Sequence, residues 1–383
     1  MERTLFLVVV VAIFLSCFTS NALAVDGWAS QNGGTTGGGS LTPIDVSTAA
    51  DFKTNVESNS PCVVRVVGTI DLGGGVNIKS NKTIMGLDAN STIIGRLGFT
   101  NGSSNIIIQG LNITNPIYDE KDGISVKNTI TNLFITKCTV HDCGDGCIDI
   151  TNASDFITVS WCKFYYSNPT PFENHRYVNL FSASDTATGD RGKLRITFHH
   201  NWWASRCDQR MPRGRFGKVH VYNNYYSCSG NTYCIGVGLE SQIRVENNYF
   251  DNVNKAWYNP ATTPGIIGWN TGNVFVNTTI PTWAPNNYAT IFTPPYSYTL
   301  DDASYLSTTV PAYAGAGTPY PPHWYYTVYG DFDRSGIVDM NDLATFTGYW
   351  LVDDCNAIAD ADYYPDCIVN FREFGLMAES WMQ

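Results

Sequence analysis

A short pattern of apolar and turn-forming residues recurs along the chain and limits the folds open to it. Each segment begins with an apolar residue and ends with a β-branched or aromatic one. The segments are IQGLNI (108–113), ITKCTV (135–140), VSWCKF (159–164), FHHNWW (198–203), VYNNYY (221–226) and VENNYF (245–250), with starts 27, 24, 39, 23 and 24 residues apart. A period in the low twenties is typical of a solenoid whose coils stack on one another. The sequence therefore predicts a parallel β-helix rather than a set of hairpins.

The columns formed by the aligned segments support this interpretation. The fourth position holds Leu111, Cys138, Cys162, Asn201, Asn224 and Asn248, and the sixth holds Ile113, Val140, Phe164, Trp203, Tyr226 and Phe250. Stacked coils place like residues about 4.8 Å apart, so successive asparagines can hydrogen-bond along the stack and aromatic rings can stack on one another. Such a ladder predicts a structural rather than a catalytic role for His199 and His200.

One interval of 39 residues interrupts the period. It inserts residues 165–193 between two coils. Long excursions from a solenoid usually lie over one face, and they often shape a binding groove. We expect this insertion to do so.

The first 24 residues have the features of a secretory signal peptide. Arg3 is followed by an apolar run from Leu5 to Phe18, and Ala22-Leu23-Ala24 fits a small-residue cleavage site. The run is too short for a membrane anchor, and no later segment has the length to span a bilayer. We expect a secreted, extracellular protein whose mature chain begins at residue 25.

Cysteine content agrees with export. Removal of the signal peptide takes away Cys17 and leaves ten of the 11 cysteines, an even number in an oxidising compartment, so disulfide bonds are expected. The favoured local pairs are Cys228 with Cys234 and Cys355 with Cys367. Pairing among the other six remains open: Cys62, Cys138, Cys143, Cys147, Cys162 and Cys207.

A basic cluster stands out in a chain whose formal net charge is −11. The segment RCDQRMPRGRFGK (206–218) carries four arginines and a lysine, while DEKDG and DGCIDI upstream supply carboxylates. A solvated basic loop is the plainer interpretation of such a cluster. Its position on the repeat favours instead a site that binds a cation and an anionic substrate together.

The spacing of the carboxylates favours a metal site. Asp145 and Asp149 should face the same way on a strand, as should Glu120 and Asp122, and adjacent coils would bring the two pairs together. Carboxylates that meet in this way repel one another unless a cation lies among them, and hard oxygen ligands favour Ca²⁺. The alternative of an exposed turn acid is serious for Glu120 and weak for Asp149, which two isoleucines flank.

These motifs, taken in order, resemble the pectate lyases of polysaccharide lyase family 1. The resemblance runs from DGWASQNGGTTGG through DGISV, DGCIDI, FHHNWW, DQRMPRGR and VYNNYY to YTLDDAS and AGAG near residue 315. It implies a right-handed parallel β-helix over residues 25–317. It also implies a Ca²⁺ site formed by Asp122, Asp145 and Asp149 with a contribution from Glu120. Pectin lyases, which take methyl esters, replace this acidic cluster, so its presence argues for the de-esterified substrate.

The resemblance also assigns roles to arginines. Arg210, which precedes Met-Pro, matches the base that removes a proton beside the substrate carboxylate, and Arg215 matches an arginine that binds that carboxylate. Many relatives carry a lysine before a V-x-L segment, where this chain reads Arg176-Tyr177-Val178-Asn179-Leu180. Arg176 is the candidate to take over that role, shifted by one residue. Arg213 of the basic cluster joins the expected substrate-binding set.

The C-terminal residues form a different module. Residues 318–328 read as a stiff linker rich in proline and tyrosine. Positions 1, 3, 5, 9 and 12 of a Ca²⁺ loop are then held by Asp331, Asp333, Ser335, Asp339 and Asp342. A second copy runs from Asp362 to Glu373 but has Tyr364 and Cys367 at unfavourable positions, which leaves its metal binding open. Two loop–helix units over residues 329–383 resemble a dockerin, a small α-helical module that would bind a cohesin-type partner. A dockerin-like Ca²⁺ fold that only ties down the C-terminus is the alternative.

The sequence thus predicts a Ca²⁺-dependent, monomeric pectate lyase that acts on polygalacturonate by β-elimination, with no nucleic-acid partner and no membrane span. A pectin lyase acting on methylated pectin is the closest alternative. A β-helix that binds a polyuronide without cutting it is the second alternative, and it has no need for a base beside a metal-held carboxylate.

Overall fold

The computed structural model of the chain describes residues 24–116, 122–170, 172–259, 265–319, 330, 332, 338, 340–350, 352, 358, 361–362, 368–379 and 381. These residues form a right-handed parallel β-helix, followed by short helices near the C-terminus. The predicted fold of the repeat region is confirmed.

Short parallel strands build the coils. They are β1 (Ile44–Val46), β2 (Cys62–Val66), β3 (Thr69–Ile78), β4 (Lys82–Gly86), β5 (Thr92–Phe99), β6 (Ser104–Gln109), β7 (Asn112–Asn115), β8 (Ile124–Val126), β9 (Thr131–Thr136), β10 (Thr139–Cys143), β11 (Ile148–Ile150), β12 (Asp155–Ser160), β13 (Lys163–Tyr165), β14 (Asn179–Phe181), β15 (Arg195–His199), β16 (Trp202–Trp203), β17 (Arg213–Gly214), β18 (Lys218–Tyr222), β19 (Tyr225–Tyr226), β20 (Ile235–Val237), β21 (Gln242–Glu246), β22 (Tyr249–Asp251), β23 (Trp257–Tyr258), β24 (Ile266–Trp269) and β25 (Val274–Val276).

Two sheets hold these strands. The first has the order β1-β2-β4-β6-β9-β12-β15-β18-β21-β24. The second runs β23-β20-β17-β14-β11-β8-β5 and continues through β7-β10-β13-β16-β19-β22-β25, with β3 also paired to β5. Because each coil sends its strands to the same places, a residue on one coil lies directly beside its counterpart on the next.

The predicted asparagine ladder is present inside the coil. The backbone N–H of Asn201 donates to Asn224 Oδ1 at 2.9 Å, and that of Asn224 donates to Asn248 Oδ1 at 3.0 Å. The structure extends the ladder by one rung, since the N–H of Asn248 donates to Asn273 Oδ1 at 2.9 Å. Side-chain amides also donate along the stack and to backbone carbonyls, so these buried groups satisfy one another.

The aromatic column is confirmed as well. The rings of Trp203 and Tyr226 stack at 4.5 Å between centroids, as do those of Tyr226 and Phe250, and Phe275 continues the stack at 5.3 Å. His199 and His200 lie buried against the N-terminal and C-terminal segments: Nε2 of His199 is 3.0 Å from Asp26, and Nε2 of His200 is 3.0 Å from Asp301. Their position is the structural one that the repeat predicts.

Short helices cover the coils. Helix α1 (Ala49–Val56) packs Phe52 and Val56 into the core near the N-terminal coils, and α2 (Leu306–Tyr313) packs beside Trp161 and Tyr225. Contacts with the β-helix continue to Pro319, whose carbonyl accepts from Lys137 Nζ at 2.6 Å.

The predicted disulfide between Cys228 and Cys234 is not formed. Both are free, buried thiols, as are the other six cysteines of the described residues. The interior of a parallel β-helix consists of stacked small and apolar side chains, and here the thiols occupy such positions without linking. Cys355 and Cys367 lie outside the described residues.

Near the C-terminus, helices α3 (Met340–Tyr349) and α4 (Phe371–Glu379) share an apolar cluster that includes Val338, Phe346 and Met377. Of the predicted ligands of the first Ca²⁺ loop, only Asp342 lies within the described residues. Its buried carboxylate accepts from the N–H of Phe332 at 2.6 Å. Asp331, Asp333, Ser335 and Asp339 lie outside them, and so does most of the predicted linker.

Candidate active site

Three carboxylates meet on the outer face of the second sheet. Asp149 is the central residue of β11, and its neighbours Ile148 and Ile150 point into the core. Asp145 lies in the turn before that strand, and Asp122 lies just before β8 on the adjacent coil. One oxygen from each of the three lies within 4.8 Å of the others. The alternation of a strand and the pairing of adjacent coils thus bring together the residues that the sequence predicts.

Few of the described residues donate hydrogen bonds to these carboxylates. Asp149 Oδ1 accepts from the N–H of Leu180 at 3.1 Å, and Lys127 Nζ lies 3.4 Å from Asp122 Oδ2. The other oxygen of Asp122 is buried, and no residue that the structure describes donates to it. Burial raises the pKa of Asp149 well above its usual range, and the neighbouring carboxylates Asp122 and Asp145 raise it further. Burial likewise raises the pKa of Asp122.

This arrangement fits a hard divalent cation. A carboxylate can only accept hydrogen bonds, so three of them in contact need positive charge to balance them. The ligand set consists wholly of oxygen, and Asp122 Oδ1, to which no described residue donates, is available to coordinate. Both features are typical of Ca²⁺ rather than of a softer metal. Glu120, the fourth predicted ligand, lies outside the described residues.

Arg210 lies close to the acidic cluster. Its positive charge acts on Asp149 and lowers the pKa of that carboxyl, although burial and the other carboxylates outweigh it. The backbone at Arg210 has φ of 63°, a left-handed conformation uncommon outside glycine, and its carbonyl accepts from the N–H of Asn179 at 2.6 Å. The guanidinium carbon lies 4.3 Å from the centre of the Tyr177 ring.

Other predicted arginines have carboxylate partners. Arg215 donates through Nε to Asp185 and through Nη1 to the Ser182 carbonyl at 3.1 Å. Arg176 lies 3.8 Å from Glu173, which also pairs with Arg206. Within the described ranges, no carboxylate lies within ion-pair distance of Arg210 or Arg213. Arg210 therefore lies beside the acidic cluster with no carboxylate of the described residues at ion-pair distance.

The register of the parallel strands places Arg213 two coils beyond Asp149 along the axis of the β-helix. Asp149 pairs with Leu180 on the next coil, Leu180 pairs with Arg213, and Arg213 pairs with Gly236. At about 4.8 Å per coil, Arg213 lies roughly 10 Å from Asp149 along the helix axis. An extended anionic chain lying along this axis would meet carboxylates first and arginines next.

The 165–193 insertion lies against this site. Its residue His175 contacts Asp145, with Nε2 3.3 Å from Oδ1, while Tyr177 lies beneath Arg210 and Asp185 binds Arg215. The sequence interpretation missed His175, Tyr177 and Lys127. Tyr177 stands next to the noted Arg176, but nothing in its local sequence shows that the following coil would place Arg210 over its ring.

These features define a parallel β-helix protein with an acidic cation site and a row of arginines on one outer face. A family model described as pectate lyase matches residues 4–319, and the chain belongs to that family. The predicted identity as a pectate lyase is confirmed at this level. No helix of the described ranges is long and apolar enough to cross a membrane.

Individual relatives agree. The chain is 33% identical to pectate lyase A of Aspergillus niger over 301 residues, which is 76% of this chain and 87% of the relative. It is 30% identical to pectate trisaccharide-lyase of Bacillus licheniformis over 328 residues, or 78% and 88% of the two chains. The crystal structure of pectate lyase Bsp165PelA from Bacillus sp. N165 in complex with trigalacturonate is similar, with a TM-score of 0.66, 29% identity, and coverage of 77% of this chain and 99% of that one.

Proposed function

We propose that this protein is a secreted, Ca²⁺-dependent pectate lyase that cleaves de-esterified polygalacturonate by β-elimination and releases unsaturated oligogalacturonides. The observation that carries the proposal is the pairing of two unusual features. Three carboxylates lie within 4.8 Å of one another, and beside them stands Arg210 with no carboxylate partner in the described part of the chain. A relative of the same fold binds trigalacturonate, which has the chemistry that such a site would take.

Asp122, Asp145 and Asp149 would hold the cation. When bound, Ca²⁺ would neutralise the substrate carboxylate and make the adjacent C5–H more acidic. Arg213 and Arg215 would bind further carboxylates along the chain, since a planar guanidinium matches a carboxylate with two parallel hydrogen bonds. Arg176 would contribute positive charge at the same face.

Arg210 would act as the base. After losing its own proton, a guanidine nitrogen would accept the C5 proton, while the electrons of the broken C5–H bond form the C4–C5 double bond. The bond from C4 to the glycosidic oxygen breaks, and that oxygen takes a proton from water. A carboxylate in ion-pair contact would hold the proton on the guanidine, so the lack of such a partner suits this role.

Ultraviolet absorbance of the unsaturated product tests the proposal. The wild-type protein, Arg210→Ala and Arg210→Lys would be compared on polygalacturonate, with Ca²⁺ and with a chelator, and on highly methylated pectin in parallel. We expect the absorbance to rise only with the wild-type protein and only on polygalacturonate. The chelator should abolish this rise. If Arg210→Ala turned over substrate at the wild-type rate, the assignment of Arg210 as the base would be refuted.

Two other outcomes would redirect the assignment. A chelator-resistant rise on methylated pectin would make the protein a pectin lyase. Binding of polygalacturonate without any rise would make it a polyuronide-binding β-helix.

We further propose that residues 329–383 form a dockerin-like module that binds a cohesin-type partner. Support comes from the two predicted Ca²⁺ loops, from the apolar cluster shared by α3 and α4, and from large apolar side chains left in solvent, with Phe371 78% and Met340 67% exposed. A native gel of the full chain with a cohesin domain, with Ca²⁺ and with a chelator, tests this. Asp331→Ala should weaken a Ca²⁺-dependent shift. If the cohesin domain does not change the mobility of the full chain with or without Ca²⁺, a module that only ties down the C-terminus would be favoured.

A further inference from the structure

We propose that Tyr177 is a positioning residue for the elimination reaction, because its ring carries the guanidinium of Arg210. The inference rests on the proposed function. It adds a residue that does not touch the reacting atoms but sets where the base stands. The chemistry is that of a cation over an aromatic face, in which the electron-rich face of the ring attracts the guanidinium without hydrogen-bonding to it.

The contact between the two side chains is the first support. The guanidinium carbon of Arg210 is 4.3 Å from the Tyr177 ring centre, well inside the range of such contacts. Arg210 Nε is buried without a hydrogen-bond partner among the described residues, and none of their carboxylates pairs with this guanidinium. Among the described residues, the Tyr177 ring is therefore a close contact that can orient this side chain without an ion pair.

The backbone supports the same assignment. Tyr177 forms an isolated parallel bridge with Gln209, the residue before Arg210, and the N–H of Asn179 donates to the Arg210 carbonyl at 2.6 Å. These contacts fasten the chain at Tyr177 and just after it to the segment that carries the arginine. The ring and the guanidinium are thus held together by their main chains as well as by mutual attraction.

His175 extends the contact to the metal site. Its ring centre lies 4.0 Å from that of Tyr177, and its Nε2 lies 3.3 Å from Asp145 Oδ1. A line of contacts therefore runs from a cation-binding carboxylate through His175 and Tyr177 to Arg210. Such a line would keep the base at a fixed place relative to the carboxylate that the cation holds, which matters because small misplacements of a catalytic group are costly.

A tyrosine suits this position better than a residue with a formal charge. A carboxylate would hold the proton on Arg210, and a lysine would repel its guanidinium. A phenyl ring would keep the attraction, whereas an aliphatic side chain of similar size would fill the space without it. A comparison of phenylalanine with an aliphatic residue at this position therefore separates the effect of the ring face from that of side-chain volume.

The test compares Tyr177→Phe and Tyr177→Leu with wild type by steady-state kinetics on polygalacturonate at saturating Ca²⁺. We expect Tyr177→Phe to keep kcat within about twofold and Tyr177→Leu to lose about tenfold in kcat with KM nearly unchanged, which is the effect of one partly buried cation–aromatic contact. Tyr165→Leu is the matched control. That ring also lies near a cation, 5.5 Å from Lys163 Nζ, but on β13 in the other half of the sheet, and we expect wild-type kinetics.

Each other result overturns the inference. Equal losses in both Tyr177 variants would show that the ring face is not what matters, and a rise in KM alone would make Tyr177 a substrate contact. If Tyr177→Leu melts well below wild type, Tyr177→Met provides the flexible aliphatic comparison, and wild-type kcat in that variant would refute the role. An inactive wild-type protein would refute the proposed function itself, whereas an active wild type with unimpaired Tyr177→Leu refutes only the positioning role.

Discussion

The asparagine ladder and the acidic cluster are built by the same device and have opposite energetics. Each brings like side chains together across neighbouring coils. In the ladder, every amide both donates and accepts, so Asn201, Asn224 and Asn248 satisfy one another inside the coil. In the cluster, carboxylates can only accept, and Asp122 keeps a buried oxygen for which the described residues offer no donor. Bringing like side chains together thus stabilises the fold when each group can both donate and accept hydrogen bonds. When the groups can only accept, a bound cation is needed to balance them.

The largest effect should come from removing a charge from the cluster. We expect Asp149→Asn to reduce cleavage at least about a thousandfold, because a cation ligand and its charge are lost. Without divalent cations the same variant should be as stable as wild type or more so, since the amide oxygen can still accept from Leu180 N–H while the repulsion falls. Initial rates and chemical denaturation in chelator would measure the two effects.

Asp155→Asn provides the matched control for that change. Asp155 is also buried, but its carboxylate has a partner, since Arg195 Nε donates to it at 2.9 Å. Here we expect a loss of about 1–3 kcal/mol in the free energy of unfolding. A stabilised Asp155→Asn, or a strongly destabilised Asp149→Asn, would contradict the contrast between paired and unpaired carboxylates.

Breaking the ladder should cost stability rather than chemistry. Asn224→Leu leaves the backbone N–H of Asn201 and the carbonyls of Phe198 and Tyr222 without their partner, each buried, and we expect a loss of about 3 kcal/mol or more in the free energy of unfolding. Urea denaturation would measure it. The exposed Asn252, which bonds Asn277 at 3.0 Å, is the control, and Asn252→Ala should change stability by less than about 0.5 kcal/mol.

Added Ca²⁺ should stabilise the fold through the acidic cluster. With Ca²⁺ at about a hundred times its dissociation constant, we expect the wild type to gain about 2.7 kcal/mol. Thermal melting of wild type and Asp122→Asn with and without Ca²⁺ would test this. Because the C-terminal loops are also predicted to bind Ca²⁺, the informative quantity is the part of the shift that Asp122→Asn removes. An identical shift in both proteins would place the stabilising cation elsewhere.

A smaller effect should appear with pH in a buried carboxylate that does have donors. Burial would raise the pKa of Glu246, but hydrogen bonds from His220 and Arg244 outweigh it and lower the pKa from 4.5 to about 2. Because the folded value is depressed, this carboxylate stabilises the fold above pH 4.5, and the contribution is lost as the pH falls towards 2. The melting temperature of wild type should therefore exceed that of Glu246→Gln at neutral pH, and the difference should shrink below pH 4.5. A constant difference would refute the assignment.

Much of the molecule follows from its sequence because the repeat converts position in the chain into position in space. The period identifies the coils, the fourth column identifies the ladder, and the spacing of Asp145 and Asp149 places them together with Asp122 across one coil. Asn273 and Phe275 were missed although they continue the same columns, because NTGNVF preserves the pattern less fully than its predecessors. The disulfide predicted between Cys228 and Cys234 was wrong, since spacing and cellular compartment do not show which side chains line an interior.

The sequence by itself determined the β-helix, the ladder and the acidic cluster, because a solenoid repeats local geometry and places equivalent residues side by side. Only the tertiary structure decided how the insertion lies on the coils. It brings His175 to Asp145 and Tyr177 beneath Arg210, and it leaves that arginine without a carboxylate partner in the described residues. The part of the insertion before β14 departs from the repeat, so its contacts depend on packing between segments distant in the chain, which no period encodes.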